Sequence, residues 1–111
     1  MSSLISRGVV RDLTAEEVAR GLESGDIILV DVREPNETDL ERIPGSVLVP
    51  LSSFDMEDIP KPNGRAVVFS CRSGNRSVKA SELAQAAGLP YDAHLAGGII
   101  AWKAAGYPTE Q

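Results

Sequence analysis

The segment Ile27-Ile28-Leu29-Val30-Asp31-Val32 constrains the fold more than any other stretch of this chain. It is a continuous apolar, largely β-branched run, not an alternation of apolar and polar residues. An alternating strand keeps one face in water, whereas a run like this must be covered on both faces, as the central strands of parallel sheets are. Residues 47–49 (Val-Leu-Val) and 66–69 (Ala-Val-Val-Phe) read as two more strands. Residues 8–12 form a short first strand candidate and 91–95 a weaker last one. Helical patterns lie between them. Thr14 can cap a helix, and Glu17, three residues on, can complete a capping box. That helix is expected to bury Leu13, Val18, Ala19 and Leu22 and to stop at Ser24-Gly25. Residues 77–87 are expected to be helical, with Val78, Leu83 and Ala84 among the apolar positions and Gly88 at the end. Residues 99–105 make a short last helix. Strands alternating with helices at this spacing predict one α/β domain over residues 1–111. Its core is a mostly parallel, five-stranded sheet with helices on both faces. A chain of 111 residues can close one hydrophobic core of ordinary size but not two.

Composition narrows the function. Sixteen acids against 11 bases give a net charge of −5, which argues against a general nucleic-acid binder. A single cysteine excludes an intrachain disulfide, a zinc site built on several thiolates and a two-cysteine redox relay. No apolar run approaches the roughly 20 residues needed to span a bilayer. The opening MSSLISRGVVRD lacks the hydrophobic stretch of a signal peptide. The expectation is a cytoplasmic protein that binds neither nucleic acid nor membrane and uses no metal or cofactor. What remains is the purpose of Cys71.

In parallel α/β sheets ligands sit beyond the carboxyl ends of the strands. That rule selects Asp31-Val32-Arg33, the segment after Phe69 and the segment after Leu95. After Phe69 comes Ser70-Cys71-Arg72-Ser73-Gly74-Asn75-Arg76-Ser77, and then a helix. A loop entering a helix offers unpaired backbone N–H groups, and the helix dipole adds positive charge. Gly74 lets the loop curl so that successive amides point inward as an anion nest. Arg72 and Arg76 add full charges. All three effects favour thiolate over thiol at Cys71. Arg65, Arg72, Arg76 and Lys79 meet no acid between positions 65 and 79, a basic stretch in an acidic chain that suits an anionic substrate. The competing reading makes Cys71 a small buried hydrophobe. Its company of Arg, Ser, Gly and Asn argues against that.

At these residues the sequence resembles the single-domain rhodanese-like sulfurtransferases, over nearly the whole chain from about Val10 to Pro108. Four blocks carry the resemblance in order: Leu29-Val30-Asp31-Val32-Arg33-Glu34, Ile43-Pro44-Gly45-Ser46, the cysteine loop, and Leu95-Ala96-Gly97-Gly98-Ile99-Ile100-Ala101-Trp102 with Gly106-Tyr107-Pro108 behind it. The resemblance implies that Cys71 takes a sulfane sulfur from a small anionic donor such as thiosulfate and holds it as a persulfide. Amides from Arg72 to Ser77 would support it. The sulfur would then pass to cyanide or a thiol, including a thiol on another protein. One departure is Glu41-Arg42, where the family commonly has Gly-His before Ile-Pro-Gly. His94 matches no motif position, and a structural or surface role is expected for it. Asp31 and Arg33 can support the loop, or can simply pair with each other to fix the backbone. Gly97-Gly98 suits a tight turn and close approach beside the site, and Trp102 a core anchor.

Cysteine phosphatases and arsenate reductases also combine a thiolate, a curled loop and an arginine. Those phosphatases carry five residues between Cys and Arg, whereas only Arg72, Ser73, Gly74 and Asn75 separate Cys71 from Arg76. The shorter ring of amides fits one sulfur atom better than a tetrahedral oxyanion. A non-catalytic rhodanese-like binding module would typically lose the cysteine, which is kept here. A persulfide carrier serving a protein acceptor uses the same Cys71. With no second thiol in the chain, turnover needs an external acceptor and two half-reactions at one site.

Overall fold

The run at 27–32 becomes a central strand of the sheet in the computed structural model, which describes residues 9–111. The strands are β1 (Arg11–Leu13), β2 (Ile27–Asp31), β3 (Val47–Leu48), β4 (Ala66–Ser70) and β5 (Ala93–Leu95), in the spatial order β1-β5-β4-β2-β3. Every neighbouring pair is parallel. The helices are α1 (Ala15–Ser24), α2 (Pro35–Thr38), α3 (Asn75–Ala86) and α4 (Gly98–Ala104). Asp31 is paired with Ser70, so β2 and β4 end level with each other. The expected sheet and its strand count hold.

Both faces of the sheet are covered, as the unbroken apolar runs require. On one face Ala15 and Val18 of α1, with Ile99 and Trp102 of α4, pack on Leu29, Val68, Ala93 and Leu95. On the other, Ala80 and Ala84 of α3, with Val49 and Ile59, pack on Ile28, Val30, Val67 and Phe69. Alternate residues of one strand thus enter opposite cores. Trp102 is a core anchor, its Nε1 donating to the Pro108 carbonyl at 2.7 Å. No helix among the described residues is long and apolar enough to cross a membrane.

The capping box on α1 forms as the sequence requires. Thr14 Oγ1 accepts from the Glu17 amide at 3.1 Å and Glu17 Oε1 from the Thr14 amide at 2.8 Å. Other boundaries differ. The first strand begins at Arg11 and includes Leu13, which therefore belongs to β1 and not to α1. Gly8 and the leader-free reading of the opening residues lie outside the described residues, except for positions 9–12. Val9 is 75% exposed. Ala19 and Leu22 are only half-buried, and Leu83 faces outward. The helix after the cysteine starts at Asn75, two residues early, because Gly74 (φ 109°) turns the chain there. Asn75, Arg76 and Ser77 are thus its first turn and not part of the loop. The single turn α2 and two 3-10 turns at Leu51–Ser53 and Met56–Asp58 carry no apolar periodicity, so the sequence pattern does not reveal them.

Candidate active site

Cys71 directly follows the last residue of β4, at the mouth of the turn into α3. Its Sγ lies 3.1 Å from the Gly74 amide, 3.4 Å from the Ser77 amide and 3.5 Å from Ser77 Oγ. The cysteine is 1% exposed and joins the α3-side core. The buried-hydrophobe reading is therefore right about its location and silent about its partners. Burial pushes the thiol up. The hydroxyl of Ser77 and the amides of Ser77, Gly74 and Ser73 outweigh it, so the thiol is held below its ordinary value.

The loop is gripped from behind by α4. The Ile99 amide donates to the Cys71 carbonyl at 2.9 Å and the Ile100 amide to the Arg72 carbonyl at 3.2 Å. Gly98 (φ 60°) makes this approach feasible, since a Cβ there would lie 2.5 Å from the Arg72 carbonyl carbon and oxygen. The Gly97-Gly98 pair thus fulfils the close approach expected of it.

The charges are arranged differently from their order in sequence. Arg65 precedes β4 and donates to the Pro62 carbonyl, so five strand residues, roughly 16 Å, separate it from Cys71. Lys79 lies in the second turn of α3. The four-base stretch therefore does not converge on the sulfur. Arg76 makes a bidentate pair with Glu37 of α2, at 2.7 and 2.9 Å. That hydrogen-bonded pair holds the Glu37 carboxyl at about 2 and raises Arg76 above its ordinary value. Arg76 approaches the site with its charge largely answered. Arg72 is exposed and makes no ion pair among the described residues. Ser73 and Asn75 are also exposed, on the loop and at the start of α3.

Asp31 and Arg33 are buried and bind each other. Arg33 Nη2 donates to Asp31 Oδ2 at 2.8 Å, Nε to Oδ1 at 3.0 Å, and the Arg33 amide to Oδ1 at 2.9 Å. Arg33 Nη2 also donates to the Glu41 carbonyl at 2.9 Å. This is the backbone-fixing arrangement, one strand over from the cysteine. Arg42 ties in the last residues: its backbone bridges antiparallel to Glu110, and its side chain pairs with Glu110 at 3.2 Å. A cleft of about 280 Å3 opens beside the loop, lined by Arg33, Arg72, Ile100 and Lys103 among others.

Two residues that contact the start of α3 escape the motif reading. Glu37 stands on the unread helix α2. His94 is not a surface residue but is 4% exposed, its Nδ1 2.8 Å from Ser77 Oγ and its Nε2 2.7 Å from Asp12 Oδ1. Its place at the carboxyl end of a strand is the signal that could have found it.

A sheet with this topology and a cysteine cradled by amides at the turn from β4 into α3 define a small α/β domain with a thiol held against the start of a helix. The family model for the rhodanese-like domain matches residues 14–105, and the chain belongs to that family. An uncharacterized protein of Synechocystis is 43% identical over 83 residues, covering 75% of this chain and 46% of that protein. The chain therefore spans about half the length of that relative. A sulfurtransferase of Allochromatium vinosum is 34% identical over 101 residues, covering 90% of this chain and 94% of the relative. A thiosulfate sulfurtransferase from Pseudomonas aeruginosa has a structure similar to this one, with TM-score 0.78 and 30% identity over 92% of this chain and 20% of that one.

Proposed function

We propose that this chain is a sulfurtransferase that carries sulfane sulfur on Cys71, acting as one domain over residues 1–111. The donor is thiosulfate or a similar small anion, and the acceptor is cyanide, a small thiol or a protein thiol. The observation that carries this reading is the contact of Cys71 Sγ with the Gly74 and Ser77 amides at the start of α3. These groups stabilise negative charge on sulfur before any donor arrives.

The thiolate of Cys71 attacks the outer sulfur of the donor. A new S–S bond forms as the old one breaks, and sulfite leaves with the bonding pair. The outer sulfur of the persulfide is then attacked by the acceptor, and the thiolate returns. Each half-reaction makes one bond to the travelling sulfur as it breaks another, so no cofactor is required. Arg72, with its charge unanswered, draws the anion in. Asp31 and Arg33 hold the adjacent strand end in place. With one cysteine in the chain, the acceptor must come from outside.

Mass analysis after thiosulfate treatment tests this reading. The expected result is one added sulfur atom on Cys71, removed by cyanide and absent in Cys71→Ser. An unmodified wild-type cysteine, or sulfur transfer retained by Cys71→Ser, overturns it. So does ready turnover of a chromogenic phosphate ester, which would return the site to phosphatase chemistry.

A further inference from the structure

A line of buried hydrogen bonds leaves the cysteine and ends at the surface. Cys71 Sγ is 3.5 Å from Ser77 Oγ, Ser77 Oγ is 2.8 Å from His94 Nδ1, and His94 Nε2 is 2.7 Å from Asp12 Oδ1. Ser77 and His94 are 0% and 4% exposed. Asp12 sits on β1 directly across from His94 on β5, with its carboxylate in solvent. Four residues, from the loop, α3, β5 and β1, thus form one path. The sulfur-transfer step described above makes no use of it beyond Ser77.

We propose that His94 is the proton acceptor for the Cys71 thiol, working through the Ser77 hydroxyl, and that Asp12 orients the ring and balances its charge. This rests on the sulfurtransferase reading for its purpose, which is to ready the thiol for attack on the donor.

Chemistry sets the direction of the path. A carboxylate only accepts hydrogen bonds, so the Asp12 contact places the ring proton on Nε2. The neutral ring then turns a lone pair at Nδ1 toward Ser77, and the hydroxyl donates to it. That leaves the Ser77 oxygen able to accept from the thiol. The Gly74 carbonyl, at 3.2 Å, is the hydroxyl's more distant alternative. On activation the S–H bond breaks and its proton passes to Ser77 Oγ, while the Ser77 O–H bond breaks and that proton passes to Nδ1. The products are thiolate and imidazolium, with no change of oxidation state. The Ser77 hydroxyl now donates to the sulfur, joining the two amides around it. The arrangement follows the logic by which an acid-oriented histidine activates a nucleophile, with a hydroxyl inserted between ring and sulfur. The other ionisable groups on this path, besides His94 itself, are Asp12 from β1 and Cys71 from the loop. β4 sets Phe69 opposite His94 and α3 presents Ser77.

A purely structural histidine, pinning β1 to β5, would change stability without moving the titration of the thiol. The rate of Cys71 alkylation by iodoacetamide, followed against pH, separates the two roles, and the lone cysteine makes the readout unambiguous. It is measured on the wild-type chain, His94→Gln and Asp12→Asn, each checked for folding by circular dichroism. In His94→Gln the midpoint is expected to rise by about one pH unit, so alkylation below it slows about tenfold. Asp12→Asn keeps an acceptor for Nε2 and removes the charge, and a smaller rise, about threefold in rate, is expected. Should His94→Gln fail to fold, Asp12→Asn decides, because its side chain lies in solvent. Unmoved midpoints in folded variants overturn the relay and leave the sulfurtransferase reading intact. Shifted midpoints in the variants, together with a wild-type cysteine that takes no sulfur from thiosulfate, uphold the relay and overturn that reading instead.

Discussion

At the residue scale, Gly98 decides how tightly the chain can close behind the cysteine. Its φ of 60° and the space a Cβ would occupy, 2.5 Å from the Arg72 carbonyl, are separate obstacles to any side chain. Replacing it adds left-handed strain to overpacking of a backbone contact, each a cost of roughly 1–3 kcal/mol. Gly98→Ala is therefore expected to lose about 3 kcal/mol in urea denaturation and to load less sulfur from thiosulfate. A variant as stable and as readily loaded as wild type would show that the loop does not depend on this approach. The placement of Cys71 at a strand-to-helix turn was legible because its cues are local: a strand end, a glycine and a following helix. Ser77 was named with that loop, but its link to His94 and Asp12 was not legible, because the three meet only after α3, β5 and β1 have assembled. No spacing between positions 12, 77 and 94 announces that meeting.

Among the elements, the short helix α2 matters beyond its size. Glu37 accepts from the Glu34 amide at 3.0 Å while its carboxylate grips Arg76 at the start of α3. One side chain thereby ties the turn after β2 to the helix that cradles the sulfur. Its carboxyl lies at about 2 in the folded chain against an ordinary 4.5. A depressed acid stabilises the fold above its unfolded value and loses that contribution as pH falls through its folded one. The stability difference between wild type and Glu37→Gln should thus be constant above pH 5 and vanish from about 4.5 down to 2. Thermal melts across that range check it. The difference at neutral pH should be at most about 1 kcal/mol, since both partners stay partly in water. A difference independent of pH would mean that glutamine disturbs packing and that the ion pair contributes nothing. The long apolar strands and the capped helix α1 could be read directly. The start of α3 could not, because Asn75-Arg76-Ser77 has no apolar stripe and Gly74 disguises a helix start as more loop.

On the scale of the whole molecule, parallel pairing brings the carboxyl ends of β5, β4 and β2 to one edge. There His94, Cys71 and the Asp31–Arg33 pair stand side by side, as the rule for ligand sites in such sheets anticipates. The sheet holds that edge only while both of its faces stay packed. Leu29, 0% exposed in β2, fills the α1-side core, and Leu29→Ala should cost about 3 kcal/mol by urea denaturation, as cavity-forming core substitutions do. A loss well under 1 kcal/mol would mean that this core can collapse around the gap. Sheet class and strand number were readable because burial on both faces writes itself into composition. Convergence of charge was misread, since neighbours in sequence such as Arg65 and Arg72 occupy opposite ends of a strand. The grip of α4 on the loop has a wider consequence. It runs from the amides of Ile99 and Ile100 to the carbonyls of Cys71 and Arg72, and so is indifferent to which side chains those positions carry. The rim of the site is thereby uncoupled from its frame. Exchanging Arg72 or the half-exposed Ile100, by evolution or by design, alters the lining of the cleft and leaves these backbone contacts to hold the cysteine loop in shape.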